Sequence, residues 1–283
     1  MGCSRDQFYQ KKTEFVIDLK KKIGIVAFDN REKKISSNNI DYFYTHIVSQ
    51  MTQLDQSLFF VTDGNKPEIL KTTSRLLSTD HIDRQALIET ARKKGYQALI
   101  WARIHDLDII YQKAGIIGFR KKMPFIQFRG EFSLFDCETH TKLWYLPLEN
   151  AYRLDKLFDA NEAQQAVLND VTIKKELAYL SKYLSSQMVD ILKITPWKSF
   201  VIENNNDSYV ISSGSKSGVV NNMTLDIIGF MGTINGIYNQ KYLIPGKKIG
   251  QIQIIEVGEN ISKGVALYGN QLEKSICAKF ATY

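Results

Sequence analysis

Cysteine is scarce in this sequence, and its copies are far apart. The 283 residues contain only Cys3, Cys137 and Cys277, so the chain cannot build the framework of several disulfides that staples small secreted domains. Neither these cysteines nor the four isolated histidines have the spacing of metal ligands. We therefore predict no disulfide framework, no metal site and no cofactor.

Long apolar runs are missing as well. No stretch approaches the roughly 18 consecutive apolar residues that a membrane-spanning helix needs. Apolar residues make up 44% of the chain and charged residues 24%, which are the proportions of a globular protein with a sizeable core. This composition excludes global disorder, and the sequence as it stands contains no membrane-spanning helix.

Motifs for nucleotide binding or catalysis are also lacking. The run Ser213–Gly218 looks like a phosphate loop, but it lacks the Gly-Lys-Ser/Thr ending and a helical pattern after it. We interpret it as a turn between strands. Cys137 stands between Asp136 and Glu138, whose negative charges disfavour the thiolate that a nucleophile needs. The sequence thus predicts no catalytic residue and no small-molecule substrate, so we expect a protein that is not an enzyme.

Positive charge is in excess, and one segment concentrates it. The formal net charge is +7. Most of this excess is spread along the chain, whereas a nucleic-acid binder usually gathers its bases on one face. Residues 109–130 carry several bases, no acid and four interleaved aromatic residues. This pattern predicts docking to an anionic surface, namely lipid headgroups, a polyanion or an acidic partner. The alternative is a solvated hairpin between two strands. The candidate docking residues are Arg120, Lys121, Lys122 and Arg129.

The first two thirds of the chain alternate strand and helix patterns. Apolar residues recur at helical spacing from Ile40 to Leu54, after Ser36 or Ser37 as a cap, and this is the clearest amphipathic helix. A second helix is expected to close at Gly95, and a last one to end before Pro196. Strands are predicted at 23–28, 58–61, 97–104, 131–135 and 142–148, and an extension of the third strand to Ile110 stays open. The order β-α-β-α-β-β-β-α predicts an α/β domain whose mixed sheet has parallel early strands and an antiparallel meander after them.

Glycine marks a change after Pro196. Ten of the 17 glycines follow it, between short β-rich runs, which is typical of a small all-β domain of the SH3-like barrel type. We therefore predict an N-terminal tether at 1–22, an α/β domain at 23–195 and a small β-barrel domain at 196–283.

The first residues, Met1-Gly2-Cys3-Ser4, allow three interpretations. A eukaryotic myristoylation signal requires Ser or Thr where Asp6 stands, so this one fails. An ordinary cytosolic start is the second. In the third, Gly2-Cys3 are the last positions of a bacterial lipobox whose signal peptide has been removed. Cys3 would then be the lipid anchor, and the polar segment 1–22 the tether behind it.

Two stretches resemble known families. Residues 23–195, with Ile23–Phe28, Arg92–Trp101 and Phe132–Trp144, resemble the domain shared by the N-terminal domain of the Tol-Pal translocation protein, the lipoprotein activators of penicillin-binding proteins and the curli secretion channel. His140 stands where that family has a turn glycine. Residues 200–280, with Val210–Asp226 and Ile249–Gly258, resemble the C-terminal domain of flagellar assembly protein T. Asn222 stands where that family often has glycine. The order of the two stretches is that of the middle and C-terminal domains of flagellar assembly protein T.

These resemblances imply a non-enzymatic lipoprotein of the bacterial envelope, in the periplasm and anchored to the outer membrane through acylated Cys3. The role they imply is a structural or assembly component, most concretely of a flagellar motor ring or collar. Its partners would be other envelope or flagellar ring proteins, and it would form a homo-oligomeric ring. One alternative is an activator of a cell-wall synthase or a secretion-channel component. Another is a nucleic-acid-binding module that uses the basic residues of 109–130.

Overall fold

The computed structural model describes residues 18–26, 36–63, 66–70, 84–114, 116, 120–153, 170–205, 208–237, 240–269 and 275–280. The helices of this part are α1 (Ser37–Leu54), α2 (Arg84–Lys93) and α3 (Asp170–Ile194). The strands before α3 are β1 (Lys21–Val26), β2 (Leu58–Phe60), β3 (Thr62–Asp63), β4 (Lys66–Pro67), β5 (Ile69–Leu70), β6 (Ala98–Ala114), β7 (Lys121–Asp136) and β8 (Lys142–Arg153). The strands after α3 are β9 (Lys198–Asn205), β10 (Ser208–Ile211), β11 (Thr224–Asn235), β12 (Lys241–Val257), β13 (Ser262–Tyr268) and β14 (Ser275–Phe280).

The strands before α3 form one mixed sheet in the order β2-β1-β6-β7-β8, and β5 also pairs with β1. β1 runs parallel to β2, β5 and β6, while β6, β7 and β8 pair antiparallel. The mixed sheet predicted from the sequence, parallel first and antiparallel later, is therefore confirmed. β3 and β4 pair with each other as a separate small hairpin.

Helices α1 and α3 cover one face of this sheet. Phe43, Ile47 and Met51 of α1 are buried there, and the Phe43 ring lies 6.2 Å from that of Phe132 on β7. The hydroxyl of Tyr44 donates to the backbone oxygen of Val26 at 3.1 Å, which fastens α1 to β1. This face holds the larger of the two cores that flank the sheet.

The predicted start of α1 is confirmed, and one predicted core residue is wrong. Ser36 caps the helix, since its side-chain oxygen accepts the N–H of Asn39 at 3.3 Å. Leu54 has the spacing of the buried face, yet its side chain is 45% exposed. Leu54 is the last residue of α1. The apolar periodicity of the helix therefore continues past the part of α1 that is covered by the core.

The other face of the sheet is shared by α2 and the strands that follow α3. Leu87, Ile88 and Ala91 of α2 pack with Phe200 of β9 and Cys277 of β14 in a second core. After α2, Gly95 adopts φ 81°, the left-handed conformation that closes many helices. The sequence predicted this closing residue.

The strands after α3 form a closed barrel in the order β10-β13-β12-β11-β14-β9. Its interior is filled by aliphatic side chains that alternate along the strands, among them Leu225, Ile227, Ile252 and Ile254. The closed barrel agrees with the β-rich pattern after Pro196, whereas its SH3-like type and the division into domains at 195/196 stay predictions. Among the helices of the described ranges, none is long and apolar enough to cross a membrane.

Candidate functional site

The turn between β7 and β8 carries the side chains that meet the barrel. Asp136 ends β7, and its Oδ2 accepts the N–H of Thr139 at 3.0 Å and the Thr139 hydroxyl at 2.7 Å. His140 follows with φ 62°, in the left-handed region. Histidine visits this region more often than most non-glycine residues do. The position is the one where the resembling family has a turn glycine, so the turn shape is kept with a larger residue.

A buried cluster of charges joins this turn to the barrel. The ammonium of Lys198 on β9 lies 2.6 Å from Asp136 Oδ1 and 2.8 Å from Glu138 Oε2. Lys279 on β14 approaches Glu138 Oε1 at 3.2 Å. The side chains of Lys198, Asp136 and Glu138 are each at least 95% buried. Two carboxylates therefore face two ammonium groups, so each buried charge has a partner of opposite sign.

The electrostatics of the cluster favour the charged forms of Lys198 and Glu138. Burial opposes the charge on Lys198, but the attraction of Asp136 and Glu138 outweighs burial and raises the pKa of the lysine. Burial likewise opposes the charge on Glu138, yet Lys198 and further partners, Cys277 and Lys279, lower the pKa of this carboxyl. Neither Lys198 nor Glu138 is therefore poised to exchange a proton near neutral pH.

The two cysteines beside the cluster are buried and free. The Cys277 thiol donates to Glu138 Oε1 at 3.1 Å. Burial, with Asp136, raises the pKa of the Cys137 thiol, and burial, with Glu138, raises that of Cys277. Both stay thiols at neutral pH, which agrees with the sequence argument that Cys137 is no nucleophile.

Backbone contacts add to this junction. Leu243 of β12 donates its N–H to the oxygen of Thr139 at 3.0 Å. Gly95 lies so close to the oxygen of Ser212 that a side chain there would collide with the barrel backbone. The Gln97 side chain accepts the N–H of Lys198 at 3.2 Å. Ion pairs, hydrogen bonds and packing thus all hold the sheet against the barrel at this junction.

A cleft of about 330 Å³ opens beside the junction, between α2 and the β11–β12 hairpin. Its lining combines apolar side chains with two lysines, one histidine and other polar groups: Gln85, Ile88, Phe135, His140, Lys142, Ile237, Gln240, Lys241 and Tyr242. His140 is 7% exposed, and its ring nitrogens are shielded and complete no hydrogen bond within the described part. Burial, and the charge of Arg92, lower the pKa of His140, although the backbone of Lys241 lies near enough to oppose this. The positive charge of the cleft therefore comes from Lys142 and Lys241.

The sequence-predicted docking residues lie elsewhere, mostly at the end of the β6–β7 hairpin. Arg120 and Lys122 are exposed there, and the backbone of Lys121 pairs with Ala114. Arg129 is also exposed, but it sits about 23 Å from Lys122 along β7, opposite Asp106 and Glu149 on the neighbouring strands. The structure thus brings the first three together and leaves Arg129 apart.

Cys3, the predicted lipid anchor, lies outside the described residues. Sequence reasoning also missed Lys198 and its acidic partners, because 62 and 60 residues separate them. The one signal available was a lysine directly after Trp197, where a buried strand begins. Where the chain is described, no group of three or more histidine, cysteine or acidic side chains is placed to hold a metal ion.

No family model matches the chain, and no curated protein matches it by sequence. Among solved structures, a hypothetical protein of Chlamydia trachomatis is 12% identical, with 59% of this chain and 99% of that one covered and a TM-score of 0.35. A minor lipoprotein of Acinetobacter baumannii is 11% identical, with 59% and 94% covered and a TM-score of 0.29. A Xanthomonas campestris protein of the DUF330 family is 6% identical, with 35% of this chain covered and a TM-score of 0.25.

The chain spans about half the length of the Xanthomonas protein, 49%. At these TM-scores the similarity does not extend to a shared overall fold. None of these three proteins is described as flagellar. Function is therefore inferred from this chain's own residues.

Proposed function

We propose that this protein is a non-enzymatic assembly component of the bacterial envelope, which works by docking its surfaces to other components. The observation that carries the proposal is the junction of sheet and barrel. Its central groups, Lys198, Asp136 and Glu138, pair with one another, and their side chains are at least 95% buried. Such a cluster suits a protein that must keep two surfaces in a fixed relation, because breaking it would leave uncompensated charges away from water.

A second observation supports docking and not catalysis. The projecting β6–β7 hairpin presents Lys113 directly opposite Lys122, both exposed. Like charges directly opposite each other destabilise a strand pair. An anionic partner bound here would reduce the repulsion between the two lysines. This is the chemistry expected of a contact surface.

The finer proposal is a lipoprotein of the periplasm, anchored to the outer membrane through acylated Cys3 and assembled into a homo-oligomeric ring. Within this proposal, a flagellar motor ring or collar rests on the resemblance to flagellar assembly protein T, and an activator of a cell-wall synthase or a secretion-channel component rests on the other resemblance. A tether behind the anchor would raise the local concentration of the chain at the membrane, which favours assembly.

The nucleic-acid-binding module stays as the alternative from another class, since the same hairpin bases would contact phosphates. A steep fall of oligonucleotide affinity with salt would favour it.

The anchor is tested in a bacterium that expresses the protein from its own gene. We expect mass spectrometry to find acyl chains on Cys3, and Cys3→Ala to move the protein from the outer-membrane fraction to the soluble periplasm. Ser4→Ala, next to the cysteine, should leave both results unchanged. An unmodified chain in the cytosol would refute the anchor and the envelope role together.

A further inference from the structure

The end of the β6–β7 hairpin stands away from the rest of the sheet. β8 accompanies β7 as far as Phe125, which pairs with Arg153, the last residue of β8. The pairs from Tyr111–Pro124 to Ala114–Lys121 continue beyond that point. Four residues of strand reach about 13 Å, so the hairpin end extends by about that length beyond the last residue pair of β7 with β8.

The tip of this projection is apolar. Ile116 lies between the two strands and is 82% exposed, the most exposed of the large apolar side chains in the described part. The sequence from 114 to 119 contains no charged residue. Single exposed apolar residues are common on protein surfaces. The exposure of Ile116 therefore indicates a contact site only together with the residues around it.

Basic and aromatic side chains surround the tip on the side of the sheet. Lys113 and Lys122 are directly paired, and Arg120 precedes β7; all three are exposed. Tyr111, 44% exposed, lies two residues before Lys113 and so on the same face of the strand. Residues 109–130 include no acid. An apolar tip followed by bases matches the order in which a bilayer presents its acyl boundary and its anionic headgroups, and tyrosine rings are enriched at the level of the headgroups.

We propose that this hairpin end inserts Ile116 into the surface of a membrane that carries anionic phospholipids, with Lys113, Arg120 and Lys122 at the headgroups. A lipid surface fits better than a folded acidic partner, because it offers an apolar layer directly beneath the negative charge. The proposal deepens the proposed envelope role and rests on it for the source of the membrane.

The test is sedimentation of the purified full chain, without acyl groups, with vesicles of phosphatidylcholine that contain or lack phosphatidylglycerol. We expect binding to the anionic vesicles and not to the neutral ones. Each neutralised base should weaken it about fivefold, so the triple variant Lys113→Gln, Arg120→Gln, Lys122→Gln should lose about 100-fold. Ile116→Ser should lose about tenfold.

The matched control removes the same charge from exposed lysines of α3, with Lys175→Gln, Lys182→Gln and Lys193→Gln. We expect this control to bind almost as the parent chain does, and no variant to melt below the parent chain, since neutralising Lys113 and Lys122 only removes a like-charge pair. No binding to anionic vesicles, an equal loss in the control, or an Ile116→Ser variant that binds like the parent would overturn the proposal. Because the assay needs no acylation, its failure leaves the Cys3 anchor standing, and the reverse also holds.

Discussion

Lys198 and Lys216 form ion pairs of nearly the same length in opposite surroundings. Lys198 lies 2.6 Å from Asp136 with both side chains about 95% buried, while Lys216 lies 2.7 Å from Glu259 with 49% and 73% exposed. Water and salt screen the second pair, whereas the first has only its protein partners to balance the lost hydration. The two lysines therefore allow a comparison in which burial is the main variable.

We expect Lys198→Met to lower the free energy of unfolding by about 3–5 kcal/mol, because Asp136 and Glu138 would stay buried with one cation fewer. Lys216→Met should cost about 0–1 kcal/mol, the usual size for an exposed pair. Urea unfolding of both variants measures the difference. Equal losses would mean that the cluster at the junction is hydrated and not sealed.

His140 and Asn222 set the limit of sequence reasoning at this scale. Both have positive φ, at 62° and 66°, and both stand where the resembling families have glycine. The sequence therefore indicated where the backbone turns, but not that other residues would adopt the same conformation. Nor could it pair Lys198 with Asp136, because a buried ion pair leaves no periodicity in the sequence.

Helix α1 is the element that the sequence predicted best, since one of its faces is buried continuously. Phe43, Ile47 and Met51 are all in the core, as their spacing indicated. The strands of the hairpin β6–β7 were predicted at 97–104, with an extension to 110 left open, and at 131–135. Both are longer in the structure, at Ala98–Ala114 and Lys121–Asp136. The register shifts between Ile104 and Asp106, and a residue inserted at such a shift interrupts the alternation of side chains along the strand.

Two truncations in α1 test the difference between its middle and its end. Phe43→Ala should cost about 3–5 kcal/mol, because the ring is 2% exposed and packs on Phe132. Leu54→Ala removes a side chain that is 45% exposed, and we expect about 0.5 kcal/mol, the size typical of surface sites. Thermal unfolding followed by circular dichroism compares them. A similar cost for both would show that Leu54 is covered in solution.

At the scale of the whole molecule, the barrel packs beside α2 on one face of the sheet. Phe200 and Cys277 complete the core that α2 begins, so the two units predicted from the sequence share a buried face. The change in glycine content after Pro196 indicated two units, but a composition change carries no information about how units pack. That packing depends on complementary surfaces, which only the folded chain possesses.

The predicted domain boundary at 195/196 can be tested by limited proteolysis. Lys193 and Ile194 are exposed at the end of α3, whereas Trp197 and Lys198 are buried. We expect trypsin to cut after Lys193 and to leave two stable fragments, which stay associated on size exclusion because the junction holds them. Degradation of either fragment, or a single core with no cut there, would contradict the division into two domains.

The start of the described chain is fastened at the seam between sheet and barrel. Lys20 donates its N–H to the oxygen of Ser217 at 3.0 Å, and its own oxygen accepts from Trp197 Nε1 at 3.2 Å. Gly218, at φ 79°, packs directly on the backbone of Asp18, and β1, at the heart of the sheet, begins one residue after Lys20. A mechanical force on the chain before Asp18 would therefore be divided between the sheet and the barrel at residues 18–21. The force would act on the sheet and on the barrel at the same time. It would therefore not have to pass between them through the ion pairs of Lys198.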